Sequence, residues 1–271
     1  MLLVLLGIVD MLFSISKKKS DKRFQKIINN LPTTWLNVDN EYYKGNKDED
    51  GNKLGYFAFE VSEKEALFLF GGCAIAHELL EVFVNSSYVK TIEWLDIGIF
   101  NESHGSYDYE ESVKILEKCC FPQLKYFSIG SYNEMYNGGM NFTGKLGDVT
   151  ELLEQMPNLE ELELDGWFEL KKPLEFLELK ELYILSESDS SGWFSDFMPN
   201  DISQQTLDNF LSSNFPELVR LELGLSEDSN FTFNRELIGA KRVPKLERLD
   251  ISEGFKVGDK ALLIDVLLGK K

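Results

Sequence analysis

The chain has 271 residues, 43% of them hydrophobic and 27% charged, and a formal net charge of −18. That length and apolar content suffice for one elongated or two compact units. The excess of acid repels phosphate backbones, which argues against a nucleic-acid partner and for a basic protein.

The three cysteines, Cys73 and the adjacent Cys119 and Cys120, lack the spacing of a disulfide framework and fit a reducing, cytoplasmic setting. With only His77 and His104 and no C-x-x-C, a structural zinc site has too few ligands, and no cofactor is expected.

Charge is unevenly spread. Residues 1–16 (MLLVLLGIVDMLFSIS) carry only Asp10, and residues 17–26 carry six basic side chains against Asp21. Residues 27–271 are left with −22 once the −1 and +5 of these two segments are taken from −18. A helix of the first segment would span about 24 Å, short of a hydrocarbon core of about 30 Å. The segment has no basic n-region or A-x-A site, so it fits a cleaved signal poorly. The alternative to a cytoplasmic protein is contact with the inner membrane face through residues 1–26.

Residues 27–88 are expected to form an α/β cap. Trp35–Val38 and Tyr56–Val61 read as strands around a polar, turn-rich stretch. Within that stretch Asn46, Asp48, Asp50 and Gly51 imitate a calcium loop, but Phe57 stands where the bidentate Glu belongs. Ser62 with Glu65 forms a capping box, which predicts a helix from Ala66 with a break or kink at Gly71-Gly72. His77-Glu78-Leu79-Leu80-Glu81 lacks the second histidine of a zinc-protease motif, so His77 reads as structural.

From residue 89 onward one pattern, L-x-x-L-x-L, recurs. Its copies start at Ile92, Leu124, Leu159, Leu179, Leu218 and Leu246, with central residues Leu95, Phe127, Leu162, Leu182, Leu221 and Leu249. In four copies a proline (Pro122, Pro157, Pro216, Pro244) stands two residues ahead, where it would end a preceding helix. Asp108 with Glu111 and Asp148 with Glu151 mark helix starts, and Ile115-Leu116, Leu152-Leu153, Phe210-Leu211 and Leu237-Ile238 mark buried helix faces. Between Leu164 and Leu182 there is room for little more than a turn, and DKALLIDVLLGKK reads as a closing helix.

These copies resemble the leucine-rich repeat family, in its irregular, ribonuclease-inhibitor-like form, over about residues 89–271. The resemblance implies an α/β solenoid of at least six repeats, with a curved parallel sheet and helices on the convex side. The Asn or Cys that the family places after the third apolar residue is missing here. Gly130, Gly166 and Gly224 lie nearby instead.

Alternation along such strands turns the leucines inward and exposes the residues between them. The exposed set is Trp94 and Asp96, Tyr126 and Ser128, Glu161, Glu163 and Asp165, Glu181 and Tyr183, Arg220 and Glu222, and Arg248 and Asp250. Aromatic anchors among charges are what protein interfaces use.

Three stretches are expected to form a rim beside that face: Gly98–Tyr107, Gly130–Gly147, and Ser186–Gln205 with Trp193, Phe194, Phe197 and Met198. No phosphate loop, nucleophile elbow or Cys-His pair is visible, so the chain reads as non-catalytic. The expected function is a protein-binding module, possible forms being an inhibitor or immunity-type protein. The alternative is a scaffold tethered to membrane by residues 1–26.

Overall fold

The computed structural model describes residue 22 and residues 56–61, 64–71, 74–99, 108–132, 144–186, 201–226, 229–233, 243–252, 254–256 and 258–269. The strand expected at 35–38, the imitation calcium loop at 46–55, the buried pair Leu237-Ile238, and Trp193 with Phe194 lie outside them.

The six leucine patterns all become strands. β3 (Trp94–Ile99), β4 (Tyr126–Tyr132), β6 (Glu161–Glu169), β7 (Glu181–Leu185), β8 (Arg220–Gly224) and β9 (Arg248–Ile251) are joined by β1 (Tyr56–Val61), β2 (Glu65–Gly71) and β5 (Gly144–Asp148). Among the described residues the sheet has nine strands in the order β1-β2-β3-β4-β6-β7-β8-β9, with β5 beside β6, and only the β1–β2 pair is antiparallel. The molecule is therefore an α/β protein with a mainly parallel sheet.

Each pattern enters the sheet in the same register. Trp94 pairs with Tyr126, Tyr126 with Glu161, Glu161 with Glu181, Glu181 with Arg220, and Arg220 with Arg248. The carbonyls of Lys64, Glu93, Lys125, Glu160, Lys180 and Val219 each accept from two successive N–H groups at the start of the next strand. A slip by one residue would turn every leucine outward, so the hydrophobic pattern and this repeated contact specify the same register.

The proline copies differ in detail from the expectation. Leu124, Leu159, Leu218 and Leu246 donate their N–H to the carbonyls of Phe121, Met156, Phe215 and Val243, so each proline occupies the second position of a turn. Its fixed φ suits that position.

Five helices are described: α1 (Ala74–Val84), α2 (Glu110–Leu116), α3 (Thr150–Glu154), α4 (Gln204–Leu211) and α5 (Asp259–Leu267). Their buried Leu80, Phe83, Val113, Leu116, Leu152, Leu207, Phe210 and Leu263 join Leu95, Ile97, Phe127, Ile129, Leu162, Leu164, Leu182, Ile184, Leu221 and Leu223 in one core. Between Leu170 and Lys180 no helix intervenes, as the short spacing required, and α5 is the expected closing helix.

Three expectations are corrected. The segment from Glu65 is strand β2, paired with β1, and the helix starts only at Ala74, beyond Gly71-Gly72. Glu65-Ala-Leu-Phe-Leu-Phe is rich in aromatic and apolar residues and has sheet neighbours on both sides, which outweighs a local cap signal. The acids expected as N-caps stand one residue earlier: Tyr109 and Val149 are the caps, while Asp108 and Asp148 accept from the N–H of Glu110 at 2.9 Å and Thr150 at 3.0 Å.

The third correction concerns Gly130–Gly147, read as a rim loop. Its end forms β5, which pairs with Gly166–Glu169 of β6. β6 is nine residues long, and β4 covers it only as far as Leu164, so the second half of that edge is open to β5. Gly130 and Gly166 have φ of +92° and +133°, and a Cβ on either would lie 1.8 Å or 2.2 Å from the carbonyl oxygens of Asp165 and Gly144. Glycine is what lets these backbones meet.

Candidate functional site

The positions that alternate with the leucines form one face with two columns, half-buried or exposed except at Ser128, which was expected to be exposed and is fully buried. The first runs Trp94, Tyr126, Glu161, Glu181, Arg220, Arg248, and the second Asp96, Ser128, Glu163, Tyr183, Glu222, Asp250. Asp165 continues β6 beyond Glu163. The residues singled out from the sequence on these strands are thus brought together. Gly98 and Ile99 belong to β3, whereas residues 100–107 and 187–200 lie outside the described set.

At one end Trp94 and Tyr126 stack with ring centroids 3.4 Å apart and planes 14° from parallel. The Tyr126 hydroxyl donates to Glu163 Oε2 at 3.2 Å, and burial together with the Glu163 charge pushes its ionisation well up. Toward the other end Arg220 lies 4.9 Å from the centre of the Tyr183 ring and holds Glu222 Oε2 at 3.1 Å. Tyr183 donates to Glu181, and burial with that bond raises its pKa to about 12.

The middle of the face is crowded with carboxylates. Burial raises Glu161, and Glu181 and Glu163 add to the rise. Burial likewise raises Glu163, with the hydrogen bonds from Tyr126 and Ser128 opposing it. Asp165 is pushed well above the usual carboxylate range by burial and by Glu163. Loss of hydration and mutual repulsion both disfavour the charged forms. Three carboxylates on one strand are therefore held in a state that added positive charge would relieve.

At the edge where the chain enters the sheet, charges instead alternate and pair. Glu93 binds Lys64 at 2.5 Å and Lys125 at 3.4 Å, Lys180 binds Glu160 at 2.5 Å, and Lys245 binds Glu217. Glu93 is held low, first by its hydrogen bond from Lys64. These contacts are exposed and weak singly.

One polar centre was missed from the sequence. Asp201 is buried, and its carboxylate accepts from Ser186 Oγ, Ile202 N at 2.8 Å, Ser226 N at 2.7 Å and Ser229 Oγ at 2.7 Å. Burial raises its pKa despite the four donors. It ties together the chain after β7, the approach to α4 and the chain after β8. Only a serine-rich setting around an acid hinted at it in the sequence.

Among the described residues no three His, Cys, Asp or Glu side chains converge on a metal position, and no helix is long and apolar enough to cross a membrane.

The chain is thus an α/β protein whose mainly parallel sheet displays an acidic and aromatic face. No protein-family model and no curated protein matches it. A crystal structure of a Bacteroides fragilis protein from a structural-genomics programme is similar over 64% of this chain and 47% of that one, with 19% identity and a TM-score of 0.45. The match spans about half of that protein's length. At that level it establishes nothing about function.

Proposed function

We propose that this chain is a non-catalytic leucine-rich repeat module that binds a basic protein through the exposed face of its sheet. Six copies of one pattern, entering successive strands in one register, support the repeat reading. The observation that carries the binding role is the run Glu161, Glu163 and Asp165 along one face of β6, with Glu181 in register beside Glu161 on β7; burial, with like charges nearby, pushes all three carboxyl groups upward. Lysine or arginine from a partner takes the place of the lost water with a direct ionic contact and offsets the repulsion. Sequestration of a basic toxin or nuclease, as by an immunity-type inhibitor in the cytoplasm, is the form such a face suits.

The test is co-purification of the tagged chain with its partner, followed by measurement of affinity against salt. A steep loss with salt, and loss on Glu161→Lys with Glu181→Lys, is the expected result. Indifference to this double reversal in a folded protein overturns the proposal.

The apolar residues 1–16 followed by six basic side chains favour a second reading, a scaffold held at the inner membrane face. Fractionation of the full chain against a form starting at Ser20 separates the two: equal solubility removes the second.

A further inference from the structure

β9 is the last strand of the path, and among the described residues none pairs with its outer edge. Arg248 and Ser252 donate to the carbonyls of Val219 and Leu223 beside them, so alternation aims the N–H and carbonyl of Leu249 away from β8. The core is less covered at this end. The central residues of the five earlier copies, Leu95 to Leu221, are buried, whereas Leu249 is half-buried, as are Leu246, Leu262, Ile264 and Val266.

Charge also sets this end apart. Residues 243–271 carry six basic and five acidic side chains, a net +1 in a chain of −18. A second copy can approach here without the repulsion that the rest of the surface imposes.

We propose that β9 pairs antiparallel with β9 of a second copy, about a two-fold axis through Leu249. Leu249 then exchanges N–H and carbonyl bonds with its counterpart, as the outward direction of those groups requires, and the two leucines meet on the core side. On the other side of the sheet, Arg248 of each copy stands across from Asp250 of the other. Both side chains are exposed and have no side-chain partner among the described residues. The two adjacent registers that also match the hydrogen bonds would set Arg248 against Arg248 or Asp250 against Asp250. Charge therefore selects the register centred on Leu249. Charges of one sign blunt a sheet edge, but this opposite pair makes the edge self-complementary. The axis is perpendicular to the sheet, so the two acidic faces lie on the same side and the dimer presents a doubled face. This pairing goes beyond the binding role and stands without it.

Sedimentation velocity of the full chain tests the pairing. The parent is expected to form a dimer in equilibrium with monomer at about 0.1 mM chain. Arg248→Asp and Asp250→Arg each set like charges across the axis and should be monomeric, with circular dichroism unchanged because both side chains are exposed. Mixed in equal amounts, the two variants should recover the dimer, since each supplies the charge that the other lacks. The double variant Arg248→Asp with Asp250→Arg should dimerise by itself. A parent that is monomeric at that concentration, an assembly larger than a dimer, a dimer that survives either single reversal, or a mixture that stays monomeric overturns the proposal. All of these outcomes leave the binding role of the acidic face untouched.

Discussion

Leu162 and Glu161 are neighbours on β6, yet they face opposite environments. Leu162 is fully buried, with Phe127 and Leu182 beside it in register on the adjoining strands. Leu162→Ala leaves a cavity in a packed core and should destabilise by about 2–5 kcal/mol in denaturant melts. Glu161 is half-buried among like charges, so Glu161→Gln should leave stability unchanged or raise it at neutral pH. Equal losses in the two variants would mean that the alternation is misassigned.

Gly130 belongs to the same scale. Its φ of +92° and the 1.8 Å approach of a Cβ to the Asp165 carbonyl make Gly130→Ala destabilising by about 2 kcal/mol or more. A melt unchanged from the parent would show that β4 and β6 can separate there.

Between elements, Asp201 holds three chain segments with one carboxylate. Asp201→Asn keeps the shape and replaces one acceptor oxygen with an NH2 group that faces donors. Ser186 and Ser229 can turn their hydroxyls to suit, but the backbone N–H of Ile202 or Ser226 cannot. The expected loss is about 1–3 kcal/mol, and faster amide exchange at Ser226 would locate it. Unchanged exchange there would mean that the contact does not tie the segments.

The strands were legible in the sequence because alternation and the leucine spacing are properties of a few consecutive residues, as Leu159, Leu162 and Leu164 show. The columns of the candidate face followed from the same alternation. What a local signal could not supply was pairing across the sheet. Ser62 and Glu65 describe a helix cap equally well in isolation, and only the neighbours β1 and β3 make Glu65–Gly71 a strand. β5 was hidden for the same reason, since Gly144–Asp148 lacks apolar alternation and its partner is the far half of β6. The Asp201 contacts join residues 15, 25 and 28 positions apart, beyond any short-range pattern.

For the whole molecule, pH dependence separates two classes of carboxylate. Glu161, Glu163, Asp165 and Asp201 are raised chiefly by burial, so the folded state holds their protons more tightly than the unfolded chain does. Their contribution to stability is fully present below the unfolded value, 4.5 for Glu and 3.8 for Asp, and is lost as pH rises through the higher folded values.

Asp148 behaves in the opposite way: burial pushes it up, but Lys171 and Thr150 outweigh that and hold it below 3.8. Its stabilisation is present above that value and disappears as pH falls through the lower folded value. A net charge of −18 adds self-repulsion that also eases as acids protonate. The melting temperature should therefore rise from about pH 8 to about pH 5 and fall again below about pH 4, with the rise reduced in Glu161→Gln. A basic ligand on the face should remove most of the gain at pH 5 by stabilising the protein at pH 8. A melting temperature that is flat across this range, with and without a basic ligand, would mean that these carboxylates are not raised by the fold.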